Sequence, residues 1–375
     1  MNSAPDDTAA PRARPTRRLV PWLCLGLAAL LALGIWIVWS ESHPDSERAL
    51  RLAWRDQLTA WFPAEMQPSP RDHGLFLVLE DEEAALAVVL VHGLDEPGDI
   101  WHDLVATWRK EENFPAAVWE LRYPNDQAID RSAEFLARQW ERLPADRPVV
   151  LLGHSMGGLV IREFVSRWRH PVQRASSVEG PPVRAAYLVG TPNHGSEWAR
   201  LRVWLELRDQ FANAQAREFS LFAALRDGVG TAKVDLRPGS TFLAQLNARP
   251  WPEAVELRLI AGVLLDRAPL QAGVEDLIAR ADDPDRARMI EVWWKGLRGQ
   301  LGDGVVTVES VALEDFAPPL VLPASHRGLI RAAPLEPGTP PAIPLLTKWV
   351  EGAVPSASRN AAADNDGDPG PHARR

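Results

Sequence analysis

The stretch Pro148-Val149-Val150-Leu151-Leu152-Gly153-His154-Ser155-Met156-Gly157-Gly158-Leu159-Val160-Ile161-Arg162-Glu163-Phe164-Val165 decides how this chain folds. Pro148 to Leu152 is an apolar run that reads as a buried strand, and Leu159 to Val165 places apolar residues at helical spacing. Between them, G-x-S-x-G sets a serine on a sharp strand-to-helix turn at the top of a parallel sheet. Glycine suits positions 153 and 157, because side chains there would crowd a backbone that folds back on itself. Ser155 then stands at a helix start, where unpaired N–H groups and the helix dipole favour negative charge. A bare G-x-S-x-G is often only a glycine-rich turn. The strand before it and the helix after it make Ser155 a candidate nucleophile.

A hydroxyl is a weak nucleophile at neutral pH, so it needs a base, usually His, and a carboxylate that holds the base's tautomer. In this strand-turn-helix setting the partners follow in the chain order Ser, Asp or Glu, His. Downstream of Ser155 lie His170, His194, His326 and His372. His372 falls in the polar C-terminal tail, His170 ends the helix after the nucleophile, and His194 comes too early for a strand-end carboxylate to precede it. That leaves His326, just after the apolar run Leu320-Val321-Leu322. Two carboxylates compete for the third place. Asp303 sits in the bend Gly302-Asp303-Gly304 that leads into β-branched Val305 to Val308. Asp266 follows the better strand Glu256 to Val263, and strand ends gather ligand-facing groups in open α/β sheets. Acyl transfer also needs donors for an oxyanion. The backbone N–H of Met156, next after the nucleophile, is one candidate. The other is Leu94, beyond the strand Ala87 to Val91 and the turn His92-Gly93.

Taken together, Val91-His92-Gly93-Leu94, Gly153 to Gly158, Gly190-Thr191-Pro192-Asn193-His194-Gly195-Ser196 and Gly302-Asp303-Gly304-Val305-Val306 resemble the successive motifs of lipase-type α/β-hydrolases. Asp235 to Asn247 strengthens the likeness to bacterial lipases and the related GPI inositol-deacylase-like group. The resemblance covers about residues 86–330, with the motifs in the family's order. It implies an α/β-hydrolase fold, a mostly parallel sheet covered by helices, with a helical cap insertion. It also implies that Asp303 is the triad acid and that carboxylic esters, often lipids, are hydrolysed. The acidic calcium site of some secreted bacterial lipases has no convincing match, so neither a metal nor a cofactor is expected.

Composition bounds the rest. With 375 residues, 46% of them hydrophobic, the chain is long enough for a full α/β domain with an insertion. A net charge of −9, without a basic run in the catalytic part, argues against nucleic acid as a partner. The single cysteine, Cys24, rules out an intrachain disulfide, which leaves the redox compartment open. Nothing in the sequence points to a protein partner.

The segment Leu19 to Trp39 carries no charge, and at ~1.5 Å per helical residue it spans about the ~30 Å hydrocarbon core of a bilayer. Arg12, Arg14, Arg17 and Arg18 precede it, while Glu41, Asp45 and Glu47 follow. Excess arginine on the N-terminal side places residues 1–18 in the cytoplasm and the rest outside it. A cleaved signal peptide would have a shorter apolar region and small residues at the cut, where Ile35-Trp36-Ile37-Val38-Trp39 stands here. An uncleaved single-pass anchor is therefore expected, with the catalytic domain on the periplasmic side. Residues 40–74 read as an amphipathic stalk helix and a proline-rich linker, and 75–353 as the hydrolase domain. Within it, 195–247 reads as helical and then irregular, either a cap over the site or a helix packed on the core, with an apolar face including Trp198, Leu205 and Phe211, and 268–301 is a second insertion. Asp282, Asp283 and Asp285 lack the ligand spacing of a calcium loop and read as a solvated helix start. The polar tail 354–375 reads as disordered.

The function expected from these features is a membrane-anchored serine hydrolase of carboxylic esters, acting on an ester or lipid substrate. Two alternatives share the fold: an inactive binding or scaffold module, and an acyltransferase using the same triad.

Overall fold

Short apolar runs bounded by turns pair into one sheet: β1 (Gly74–Leu79), β2 (Leu86–Val91), β3 (Ala116–Arg122), β4 (Val149–His154), β5 (Val183–Val189), β6 (Glu256–Gly262) and β7 (Leu320–Leu322). In the computed structural model, which describes residues 19–81, 83–94, 99–112, 114–201, 230–333 and 338–355, their spatial order is β1-β3-β2-β4-β5-β6-β7. Only β1 runs antiparallel to its neighbour, and the other pairs are parallel. The strands expected from the apolar runs are all present.

The parallel strands are apolar throughout because both faces of the sheet are covered. Every residue of β2 is buried. After helices α1 (Leu19–Ser42), α2 (Pro44–Trp61), α3 (Pro63–Met66) and α4 (His102–Trp108) come α5 (Ile129–Gln139) and α6 (Met156–Glu163). Ala87, Val89 and Val91 of β2 face a core that includes Leu136 of α5 and Leu159 and Val160 of α6. Leu86, Val88 and Leu90 face the opposite core, with Leu104 and Trp108 of the helix His102–Trp108 and Leu346 of the helix Ala342–Gly352. Strand order reverses between β3 and β4 on either side of β2, and in such sheets the crevice beyond the strand ends at the reversal is where ligands bind. Ser155 follows directly on β4.

The chain divides after Glu47 into two units. The first holds the helix Leu19–Ser42, about a turn longer than the uncharged segment. Its stretch Cys24–Ser42 has a mean hydropathy of 1.8, long and apolar enough to cross a membrane by length and composition. Leu27, Leu30, Leu31 and Ile35 are exposed along it. Residues 1–18, most of the expected cap (202–229) and the tail from 356 lie outside the described residues. Of the cap's flanks, Thr231–Asp235 and Thr241–Asn247 are helical, where an irregular course was expected. The second insertion is a pair of helices, Ala268–Ala279 and Pro284–Leu301. The Asp283 side chain accepts from Asp285 N–H at 3.0 Å, so this cluster is indeed a helix start.

The amphipathic helix Pro44–Trp61 crosses the division, and from Arg48 onward it belongs to the second unit. Arg48 Nε donates to Oδ1 of the fully buried Asp235 at 2.6 Å, and its Nη2 lies 3.1 Å from Asp130. Ile129 N–H donates to the other Asp235 oxygen at 2.9 Å. Burial works against the Arg48 charge, yet Asp235 and Asp130 hold the guanidinium above its ordinary value. Burial pushes the Asp235 carboxyl up to about 6, although Arg48 and the Ile129 N–H pull it down.

A carboxyl raised in the folded state binds more protons there than in the unfolded chain. The Asp235 contribution is therefore greatest below the unfolded value of ~3.9 and is lost as pH rises through about 6. Arg48→Met strands that carboxylate, which should cost about 3–5 kcal/mol at pH 8. At pH 5, where Asp235 takes a proton, the loss should be smaller. Denaturant unfolding followed by tryptophan fluorescence checks this, and equal losses at both pH values would contradict it.

Candidate active site

Ser155 is held by a close approach of backbones. A Cβ added at Gly157 would lie 2.1 Å from the carbonyl oxygen of Val91, and one at Gly158 would lie 2.0 Å from Thr191 Oγ1. With no side chain at either position, α6 seats directly on the ends of β2 and β5. The turn that delivers the chain there gives Ser155 a φ of 54° and a ψ of −129°. It is the one non-glycine residue with positive φ among those described. Such a conformation costs of order 1–3 kcal/mol. The Ser155 N–H is tied to Val189 O at 2.9 Å, and the side chain is half-buried at the start of α6.

The structure brings His326 and Asp303 together. His326 Nδ1 lies 2.7 Å from Asp303 Oδ2, with the Asp303 side chain fully buried and His326 8% exposed. A carboxylate only accepts, so Nδ1 carries the proton and Nε2 of the neutral ring keeps its lone pair. The other carboxylate oxygen, Oδ1, accepts from Val305 N–H at 2.9 Å and Val306 N–H at 2.7 Å. The backbone closes the same contact, with His326 N–H on Asp303 O at 2.9 Å. Glycines leave room for the pair: a Cβ at Gly190 would lie 3.1 Å from the His326 ring, and one at Gly262 would lie 2.7 Å from Asp303 Cβ. These glycines stand just past β5 and at the end of β6, so the two groups meet over the strand ends, on the side where β4 leads into Ser155.

Asp266 is elsewhere. It ends the short helical turn Leu264–Asp266, and both of its oxygens are taken by the guanidinium of Arg298. Met156 is the first residue of α6, so its N–H is among the donors that a helix start leaves unpaired. Leu94 lies in the turn after β2.

Two residues that the sequence reading passed over hold these parts. His154 is fully buried, with Nε2 3.0 Å from the carbonyl oxygen of His326 and its ring centroid 4.7 Å from that ring. Tyr123 Oη donates to His92 O at 2.6 Å, and its ring stacks on His92 at 4.6 Å, fixing the turn before Leu94. His154 lies inside the decisive motif and could have been noticed there. Tyr123 leaves only the signal of being one of two tyrosines. The segment 190–196 acts as a brace. Ser196 Oγ donates to Val305 O at 2.6 Å, Ser310 Oγ to Gly195 O at 2.6 Å, and Asn193 Nδ2 to Val311 O at 2.6 Å. Among the described residues no group of His, Cys, Asp and Glu is arranged to hold a metal ion.

A model described as the alpha/beta hydrolase family matches residues 88–311. No curated protein sequence matches the chain. Solved structures that are similar include the mature form of the Bacillus licheniformis lipase BlEst2, at 17% identity and a TM-score of 0.42 over 68% of this chain and 92% of that one. Staphylococcus hyicus lipase is similar at 12% identity and a TM-score of 0.46 over 77% and 100%. The metagenomic carboxyl esterase MGS0156 is similar at 18% identity and a TM-score of 0.42 over 80% and 90%.

The seating of α6 can be tested sterically. Gly157→Ala puts a methyl against a strand carbonyl that cannot swing away, and overpacking of this kind costs about 1–3 kcal/mol or more. Gly352→Ala, in a helix with nothing within 4 Å, should be neutral or gain about 0.5–1 kcal/mol. Thermal unfolding of the two variants compares them directly, and equal midpoints would overturn the packing described.

Proposed function

We propose that this chain, which belongs to the alpha/beta hydrolase family, is a serine hydrolase of carboxylic esters with Ser155, His326 and Asp303 as its triad. The observation that carries this reading is the buried 2.7 Å contact between His326 and Asp303 over the strand ends, in a chain whose Ser155 is held in a strained turn. His326 Nε2 takes the proton of Ser155 Oγ as the oxygen attacks the ester carbonyl. Asp303 holds the ring's tautomer and stabilises the imidazolium that forms. The N–H groups of Met156 and Leu94 meet the developing oxyanion, where one donor is typically worth about 2.7–4 kcal/mol of transition-state stabilisation. As the tetrahedral intermediate collapses, His326 gives its proton to the leaving alcohol and an acyl-Ser155 ester remains. A water deprotonated by His326 then releases the acid and restores the serine.

The strain at Ser155 favours catalysis over a retained binding module, because such conformations cluster where mechanism needs them. The substrate class favoured is lipid-like, since the same chain carries a membrane-length apolar helix. That helix acts as an uncleaved anchor. Arg12, Arg14, Arg17 and Arg18 hold its N-terminal side in the cytoplasm, and the hydrolase domain faces the periplasm.

Ser155→Ala, His326→Ala and Asp303→Asn should each abolish most turnover of p-nitrophenyl esters while circular dichroism stays unchanged. The double variant Ser155→Ala/His326→Ala should be little worse than either single, because triad members act as a unit. Full activity in Ser155→Ala sinks the reading, and full activity in Asp303→Asn with Asp266→Asn inactive moves the acid.

The anchor is checked by extraction of membranes carrying the full chain. It should stay with the pellet in carbonate and high salt and leave it in detergent. Shortened, soluble protein in the periplasm would identify the segment as a signal peptide instead.

A further inference from the structure

The end of α6 borders a cleft of about 740 Å³, which His194 of the 190–196 brace also lines. Neither Ser155, Asp303 nor His326 lines it. Arg162, which does, stands six residues along α6 from Met156, about 9 Å at ~1.5 Å per residue.

Arg162 is unusually placed for a charge. It is only 6% exposed, and no carboxylate among the described residues pairs with it. Its Nη1 donates to two neutral amides, Asn193 Oδ1 at 3.0 Å and Asn247 Oδ1 at 2.8 Å. The adjacent carboxylate, Glu163, is committed to Arg167 at 3.0 Å and Arg249 at 2.7 Å. Arg162 Nε and Nη2 have no partner among the described residues, and neither is sealed from solvent. Burial, reinforced by the neighbouring Arg249, pulls the guanidinium down to about 10 against the attraction of Glu163. A buried cation is normally paired, and one that is not marks a place where an anion would be stabilised.

The rest of the lining narrows the ligand. Trp251, Leu257, Leu313 and Phe316 give the cleft apolar walls. Glu253, Glu314 and Asp315 are exposed and line it too, so a doubly charged anion meets repulsion that a singly charged one feels at half strength. The volume falls in the range that holds a small organic ligand. We propose that this cleft binds a monocarboxylate with an apolar body, its carboxylate on Nε and Nη2 of Arg162 and its body against Trp251, Leu257 and Phe316. The planar fork of a guanidinium suits a carboxylate in a bidentate pair. This site is separate from the proposed triad and stands whether or not that reading does.

The test uses the full chain in lipid nanodiscs and sodium hexanoate, with hexanamide as the uncharged isostere and inorganic phosphate as the dianionic rival. Hexanoate should bind saturably by ligand-observed NMR, at least tenfold more tightly than hexanamide or phosphate. Binding should survive fluorophosphonate treatment of the protein, which separates this cleft from the triad. Arg162→Gln should weaken hexanoate tenfold or more while circular dichroism is retained. Should that variant fail to fold, Phe316→Glu sets a like charge on a loop of the wall and should weaken hexanoate to the same degree. A hexanoate analogue bearing a diazirine should label peptides spanning 246–257 or 313–316. Hexanoate binding unchanged in the variants, abolished by the fluorophosphonate, or matched by phosphate overturns the proposal.

Discussion

Helix α6 can lie against the ends of β2 and β5 only because no side chain stands at Gly157 or Gly158. The conformation of Ser155 follows from that contact: the chain leaves β4, turns through a positive φ and enters α6 within one residue. The strain, of order 1–3 kcal/mol, is carried easily. Leu159, Val160, Ile161 and Phe164 are fully buried just beyond it, and each such side chain contributes about 1.5–3 kcal/mol. The burial that fastens the helix also fixes the serine.

Two buried carboxylates in this unit are compensated in different ways. Asp235 is answered by a cation, Arg48, and by one backbone N–H, and its carboxyl is still pushed up to about 6 by burial. Among the described residues no Lys or Arg pairs with Asp303. Two N–H groups of its own turn meet one oxygen, and His326 meets the other. That turn must therefore keep its shape if the carboxylate is to remain satisfied. The hydroxyls of Ser196 and Ser310 and the amide of Asn193 tie its chain to the segment after β5. Asn193 and Ser196 of this segment thus brace the Asp303 turn.

The parallel strands were legible because a strand buried on both faces must be apolar at every position, as β2 is. The turn that carries Ser155 was legible because its flanks are local. Asp303 and Asp266 could not be told apart by spacing, since both follow β6 and precede His326. What separates them is Arg298, distant in sequence from Asp266 and bound to it in space. His154 and Tyr123 stayed hidden for a related reason. Each acts on a backbone carbonyl, of His326 and His92 respectively, and a carbonyl has no residue type to read. The helical flanks at Thr231–Asp235 and Thr241–Asn247 escaped a periodicity reading because each is barely longer than a turn or two.

Asp266 nonetheless serves the arrangement around Asp303. The helix Pro284–Leu301 ends at Gly302, whose φ of 52° turns the chain toward Asp303. Gly302 O accepts from Leu264 N–H at 2.7 Å, and one helical turn earlier Arg298 grips Asp266. Both contacts join the end of this helix to the short turn after β6. With Arg298 44% exposed, the ion pair adds little net stability, since pairs open to water contribute about 0–1 kcal/mol. Its effect is directional: a bidentate pair fixes where the helix ends, and so where the next turn begins. The bond from Leu264 N–H to Gly302 O and the Arg298–Asp266 pair thus fasten the end of this helix to the turn after β6, one residue before Asp303.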